Sequence, residues 1–283
     1  MIAKNAMQFK AIIKQKAQEL KTTPQLLLHA YIIERFLERL AKSEFNKFFI
    51  IKGGFLLSNI ISIENRSTMD LDVTIRGYDL NDYSLMKIFK KIIAIELDDQ
   101  ITFEYRSTAN IRNDFVYPGI RVNMVAYFST IEVPFSVDVS TGDIITPSEI
   151  NYQYKKLFSS EYLQISTYNL ETIMAEKIDS ILSKGTNNTR QRDYYDLYMI
   201  CKLKKDEYNL STLKQAVINT MSQRNNTKNF YNYKSILVEI VNDSNMNNWW
   251  IKYQNKYYYA KGVSFNDICS IINEILEKLI NTI

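Results

Sequence analysis

The chain has 283 residues, 46% apolar and 23% charged, with a net charge of +4. That length allows one large domain or two modest ones with full hydrophobic cores, and the mild basicity is compatible with nucleic acid without pointing to it. Two distant cysteines, Cys201 and Cys269, and a single histidine, His29, exclude a disulfide framework and a zinc site of Cys or His type, and weigh against a Ser-His-Asp triad.

Taken in order, residues 5 to 20 read as a lysine-bearing helix with a thin apolar stripe. Thr22-Thr23-Pro24 is a helix start, with a threonine cap and proline in the first turn. From there to about Lys42, Leu28, Ile32, Phe36 and Leu40 recur every four residues with Ile33 and Leu37 beside them, so this helix should pack by one apolar band. Glu34, Arg35, Glu38 and Arg39 fall on the other side, and His29 reads as a packing or surface residue.

The stretch from Phe48 to Ile75 is the most informative. It reads as a short buried strand, a turn at Gly53-Gly54, a short helix, a polar loop with Arg66-Ser67-Thr68, and a second strand carrying Asp70 and Asp72. Glycine permits the tight turn, and the free N–H groups of the following helix make it an anion seat. Carboxylates two apart in a strand share a face. Their mutual repulsion is relieved by a cation, and carboxylate oxygens suit Mg²⁺. An anion seat beside a divalent cation site is what a nucleoside triphosphate requires.

A helix over 83–97 follows, then strands over Ile101–Ser107, Ile120–Tyr127 and Ile131–Val139. Asp138 alternates with Val137 and Val139, so it faces away from the apolar side, while Asp143, after Gly142, reads as a turn residue. From about Ser160 helical periodicity takes over. Leu170–Lys184 is a helix stopped at Gly185. Lys177 lies four residues from both Ile173 and Ile181, so it runs along the apolar edge and must snorkel, pair with a buried acid or meet a ligand. In the next helix, Arg190–Ile200, Asp193 and Asp196 share a face, flanked by Arg190 and Arg192. Helices over 211–223, 231–241, 245–258 and 264–281 complete the chain. Trp249, Trp250 and Tyr257-Tyr258-Tyr259, interleaved with Lys252, Lys256 and Lys261, are either helix core and rim or a surface that stacks on RNA.

Two motifs, K-G-G…R-x-x-x-D-L-D at 52–72 and A-E-K…R-x-x-D-Y-Y-D-L at 175–197, resemble those of the AbiEii/AbiGii (MenT-like) nucleotidyltransferase toxin family. The resemblance implies an α+β architecture. A mixed sheet of nucleotidyltransferase fold with flanking N-terminal helices would occupy 1–158, and a helical domain 159–283. It implies a type IV-like toxin of abortive infection that transfers NMP from an NTP, with Mg²⁺ as cofactor, to the 3′ end of tRNA, so blocking translation. A cognate AbiEi-type antitoxin would be the partner. In that reading Asp70, Asp72 and Asp138 hold the metal. Lys52, Gly53, Gly54, Arg66, Ser67 and Thr68 bind the nucleotide, and Lys177 contacts the triphosphate. Asp193 or Asp196 fixes Lys177 or takes the acceptor's proton. Transfer to a protein such as the antitoxin, and a non-catalytic nucleotide-binding module, are the alternatives. The N-terminus shows no signal-peptide pattern and no apolar run reaches the length of a membrane span, so a cytoplasmic location is expected.

Overall fold

The computed structural model describes residues 3–64, 66, 68–111 and 119–282, so Ser67 lies outside the described residues. The chain forms two units, one of residues 1–143 with 150–167, the other of 144–149 with 168–283.

The first unit opens with α1 (Ala6–Glu19) and α2 (Pro24–Lys42). Each begins where a side chain satisfies a free helix donor: Asn5 accepts from the Gln8 N–H and Thr23 from the Leu26 N–H. Then come β1 (Phe49–Lys52), α3 (Gly53–Ile60), β2 (Leu71–Ile75), α4 (Asp82–Ile93), β3 (Thr102–Ile111), β4 (Gly119–Phe128), β5 (Ile131–Ser140), β6 (Ile150–Lys155) and β7 (Tyr162–Thr167). The strands form one mixed sheet in the order β3-β4-β5-β2-β1-β7-β6. β2 runs parallel to β5 and β1 parallel to β7, while the other neighbours are antiparallel.

Period-two alternation gives the sheet an apolar face and a polar one. Ile51, Val73, Val139 and Ile120 lie side by side across β1, β2, β5 and β4, and all are buried. Phe36 of α2 packs here, 5.6 Å between ring centres from Phe89 of α4 and 6.1 Å from Phe135 of β5. A fully buried ring of this kind is worth about 1.5–3 kcal/mol of transfer free energy.

Two sequence expectations change in this unit. The charged side of α2 is not solvated: Glu34, Arg35 and Arg39 are all buried. Arg39 forms a fork onto Asp99 at 2.8 and 3.0 Å and also donates to the Ile101 carbonyl, and Glu34 accepts from the Leu157 N–H. A long amphipathic helix therefore buries its polar side too, because two connecting segments cover it and supply its partners. Second, β6 and β7 stand where no strand was read. Residue 158 accordingly falls in the connection between them, inside the first unit. Their alternation is short and half-exposed, which leaves a weak signal.

The second unit contains α5 (Leu170–Lys184), α6 (Gln191–Leu203), α7 (Leu210–Gln223), α8 (Thr227–Tyr231), α9 (Tyr233–Asn242), α10 (Ser244–Lys256) and α11 (Phe265–Asn281). Asn169 caps α5 by accepting from the Thr172 N–H, while its amide donates to the Thr146 and Ser148 carbonyls. The core collects Ile173, Ile178 and Ile181 of α5, Leu197 of α6, and Ile268, Ile272 and Leu276 of α11. Cys201 and Cys269 pack as small apolar groups, and burial pushes their thiols up to about 11 and about 12. Among the described residues no helix is long and apolar enough to cross a membrane.

Candidate active site

The polar face of the sheet carries a row of charges. Strand register sets Arg121 of β4 beside Asp138 of β5, Asp138 beside Asp72 of β2, and Asp72 beside Lys52 of β1. Paired positions on adjacent strands place their side chains on one face, so the sheet lines up Arg, Asp, Asp and Lys.

Asp72 meets the glycine turn directly. Gly53 has φ +69°, and a Cβ there would run into Asp72 Oδ2. Only glycine allows both that backbone and that approach. Lys52, the residue before α3, provides no side-chain cap, so the first-turn N–H groups of α3 begin beside a carboxylate. At Gly54 a Cβ would lie 2.5 Å from Arg66 Nη2. The buried Arg66 guanidinium is thus packed against the second glycine. Thr68 is buried and accepts from the Asp70 N–H at 3.3 Å. Asp70 itself is exposed and immediately precedes β2, so it is not the in-strand partner of Asp72 that the spacing suggested. It acts electrostatically on His29, whose imidazole is pushed down by burial and only partly restored by Asp70.

Lys52, read from the sequence as a nucleotide-binding residue, is engaged within the fold. Its ammonium donates to Ser140 Oγ at 2.8 Å and to Asp143, which also accepts from the Thr74 and Ser140 hydroxyls. Burial pushes the Asp143 carboxyl up, but Lys52 and the two hydroxyls outweigh it and hold it well below the usual range. Asp143 is therefore the buried counter-ion of Lys52 and not a simple turn residue.

Arg121 was not singled out from the sequence. It forks onto Asp138, Nε to Oδ1 at 2.7 Å and Nη2 to Oδ2 at 2.8 Å. The Asp138 hydrogen bonds raise its already high pKa, with Asp70 and Asp72 contributing, so one guanidinium feels all three carboxylates. The only sequence sign was its place among alternating apolar residues in I-R-V-N-M-V-A.

Among the described residues, no three His, Cys, Asp or Glu side chains converge as a ready metal cage. Asp138, read with Asp70 and Asp72 as a metal ligand, lies beside Asp72 in the register and is engaged by Arg121. Asp70 and Asp72 nonetheless offer hard oxygens, and Gly53 clears the space beside Asp72. That set fits Mg²⁺, which binds through one or two carboxylates and completes its shell with substrate phosphates and water.

The second unit holds its own charge cluster. Lys177 Nζ lies 2.9 Å from Asp193 Oδ1 and 2.9 Å from Asp196 Oδ2. Asp193 also accepts from Ser180 at 2.8 Å, and the Arg190 Nε is 3.0 Å away. Buried Asn188 ties the segment before α6, donating to the Ser180 carbonyl and accepting from the Arg190 N–H. Burial pushes the Asp193 carboxyl up, but Lys177 and Arg190 overcome this and bring it down to about 2. Of the choices the sequence left for Lys177, pairing with buried acid holds, and both candidates take part.

The aromatic stretch is mostly packing. Trp250 is buried and its indole donates to the Val263 carbonyl. Tyr253, Tyr257 and Tyr259 pack on one another, and Tyr258 is the exposed member.

Residues 35–267 match the family described as the nucleotidyl transferase AbiEii toxin of type IV toxin–antitoxin systems. Two solved structures are similar: JHP933 from Helicobacter pylori, and an H. pylori protein described as a candidate nucleotidyltransferase. Each shows 16% identity and a TM-score of 0.50, covering 92% of this chain and 95% and 98% of their own. That level of likeness speaks for the fold. No curated protein matches the sequence.

Proposed function

This chain belongs to the AbiEii family of nucleotidyltransferase toxins of type IV toxin–antitoxin systems, and from that premise we propose that it moves NMP from an NTP, with Mg²⁺, onto the 3′ end of tRNA and so arrests translation. The observation that carries this reading is the contact of the Gly53 turn with Asp72, an anion seat and a metal-binding carboxylate in one place. Backbone N–H groups at Gly53 and Gly54 receive phosphate oxygens. Arg66, with Thr68 nearby, adds positive charge behind the turn, and Ser67 is assigned a hydroxyl contact on its sequence position. Asp70 and Asp72, joined by Asp138 when Arg121 leaves it, hold Mg²⁺. The bound metal supplies charge neutralisation on the triphosphate and a lower pKa for the acceptor hydroxyl.

In the second unit, Lys177 is assigned to the triphosphate as a point charge. Asp193, held near 2, is too weak a base for proton abstraction near neutral pH. It serves to orient Lys177, and Asp196 does the same from the next turn. Family membership brings an antitoxin partner, of AbiEi type in this reading, and a role in phage defence.

One observation favours a second acceptor. The aromatic run that could have stacked on RNA is spent largely on packing, which keeps transfer to a protein, such as the antitoxin, in view. The test is incubation with each labelled NTP, Mg²⁺, and total RNA or antitoxin. Label at the tRNA 3′ end is expected. Label only on protein promotes the second reading, and bound but untransferred nucleotide shows a binding module without chemistry.

A further inference from the structure

Four carboxylates, Asp70, Asp72, Asp138 and Asp143, belong to the polar face of the sheet or its border, with Lys52, Arg66 and Arg121 as the cations among them. The three cations differ in how firmly they are committed. The Lys52 side chain is 5% exposed and enclosed with Asp143, Ser140 and Thr74. Arg66 is 2% exposed and packed on Gly54. Arg121 is 43% exposed on its side chain, although its fork is filled by Asp138.

We infer that Arg121 is a triphosphate-binding residue that stands in for the metal on Asp138 and exchanges that carboxylate for the phosphates when a metal–nucleotide complex binds. The inference rests on the nucleotidyl-transfer reading above and adds a residue and an order of events to it. Asp70, Asp72 and Asp138 repel one another, and a cation must offset that repulsion. Before substrate arrives, Arg121 does so at Asp138, with Asp70 and Asp72 within its field. A divalent ion does it better at shorter range, and once it is present the guanidinium is redundant on Asp138. A phosphate also offers two oxygens that the guanidinium fork binds bidentately. The exposed position of Arg121 lets it turn without unpacking the strand. Asp138 is thereby released for the metal, which explains why its third-carboxylate position coexists with an occupied fork.

The exchange makes a prediction of opposite sign for two ligands. Arg121→Gln removes a competitor for the carboxylates and a donor to the phosphates. Mn²⁺ alone, followed by loss of its free-ion paramagnetic resonance signal, should bind several-fold tighter. MgATP, MgGTP, MgCTP and MgUTP, tried in turn, should lose the rise in melting temperature that the preferred one gives the wild type. The KM for that nucleotide should rise about tenfold or more with a smaller change in kcat, as for a lost charge-assisted contact. Melting without ligands should stay close to wild type, which establishes that the variant is folded. Arg121→Lys keeps the charge but not the fork, and gives a second reading should the glutamine variant not fold. It should bind Mn²⁺ as the wild type does and show a several-fold higher KM, and an unchanged KM would overturn the bidentate exchange. If Arg121→Gln keeps the wild-type nucleotide shift and KM, Arg121 is only a salt-bridge partner and the inference falls. If Mn²⁺ and nucleotide both bind more weakly, Arg121 props Asp138 in place and the exchange is wrong. A wild-type protein that shifts with none of the four nucleotides would overturn the nucleotidyl-transfer reading itself, and the inference with it.

Discussion

In the sheet unit, Asp72 and Asp138 are half-buried, Asp70 is exposed, and Arg121 reaches Asp138 from a side chain open to water. In the helical unit, Lys177, Asp193 and Asp196 are 9%, 1% and 0% exposed. Both clusters pair carboxylates with cations, with hydroxyls of Ser140, Thr74 and Ser180 among the partners, and their exposure differs. On the sheet, Asp70, Asp72 and Asp138 gather around the water-open Arg121 guanidinium. Between α5 and α6, Lys177 bridges Asp193 and Asp196, and Arg190 pairs with Asp193. A half-exposed cluster is open to a ligand and can rearrange around it. A buried and paired one fixes its side chains in position, which in the reading above holds the Lys177 ammonium in place for the triphosphate.

The sharpest way to break this comparison is to remove Lys177. Lys177→Met keeps the apolar stem and takes from two buried carboxylates the ammonium that bridges them. Unpairing a buried charge costs roughly 3–5 kcal/mol, so melting temperature and urea midpoint should fall plainly without nucleotide. Neutralising the acids as well, in Lys177→Met with Asp193→Asn and Asp196→Asn, should recover much of the loss. A Lys177→Met protein as stable as wild type would show that the cluster is not what holds α5 to α6.

The sheet cluster should behave in the opposite way. Asp72→Asn removes one of several repelling charges on a half-buried position, so the fold should melt at or above the wild-type temperature. Transfer should drop by about 10²–10³-fold or more, the scale on which one electrostatic stabiliser acts in a transition state. Equal transfer by wild type and Asp72→Asn at saturating Mg²⁺ and NTP would remove Asp72 from the metal role.

How much of this was readable beforehand follows the same divide. The glycine turn, Asp72 and Asp138 were legible because period-two alternation and glycine chemistry are local signals. The Lys177 helix was legible because its apolar edge forced a partner within reach. Arg121 was not, although β4 and β5 form a tight hairpin in which Phe128 pairs with Ile131, because an arginine alternating with apolar residues reads as an ordinary outward-facing strand residue until the register sets Asp138 opposite it. The partner of Lys52 was hidden by distance in the chain. Its neighbour in the motif is the glycine turn, but its ammonium partner, Asp143, lies ninety-one residues away. Likewise Glu34, Arg35 and Arg39 looked solvated until the β6–β7 connection and the residues before β3 covered them.

Acid should next weaken the buried ion pairs of both units. The Asp193 carboxyl is brought down to about 2 in the folded protein, against an ordinary value of 3.8. For an acid with a depressed folded pKa, stability is fully present above the ordinary value and is lost as pH falls through the folded one. The window is therefore pH 4 to 2, and the contribution about 2 kcal/mol. Asp143, also held low by Lys52, adds in the same direction. Chemical denaturation at pH 5, 4 and 3 should show falling stability in the wild type. Lys177→Met should show a shallower fall, because burial then raises Asp193 against Arg190 and the Ser180 hydroxyl without the ammonium. Identical slopes would mean that Lys177 is not what depresses Asp193.

The smallest effect on stability is the most specific to the phosphate seat. Gly53 and Gly77 both occupy left-handed backbone, at φ +69° and +73°. Alanine at either position should destabilise by about 1–2 kcal/mol through the backbone alone. The surroundings differ. At Gly77 the new Cβ would meet only Phe48, 3.6 Å away in ordinary contact, whereas at Gly53 it would displace Asp72. Gly77→Ala should therefore melt slightly lower and still transfer nucleotide. Gly53→Ala should melt about equally lower or somewhat more, and lose transfer together with the nucleotide-induced melting shift. The pair controls for backbone strain, so the difference in activity reads the contact between the glycine turn and the carboxylate. If both alanine variants keep transfer at their folded temperatures, that contact is packing, and the anion seat must be sought away from Gly53.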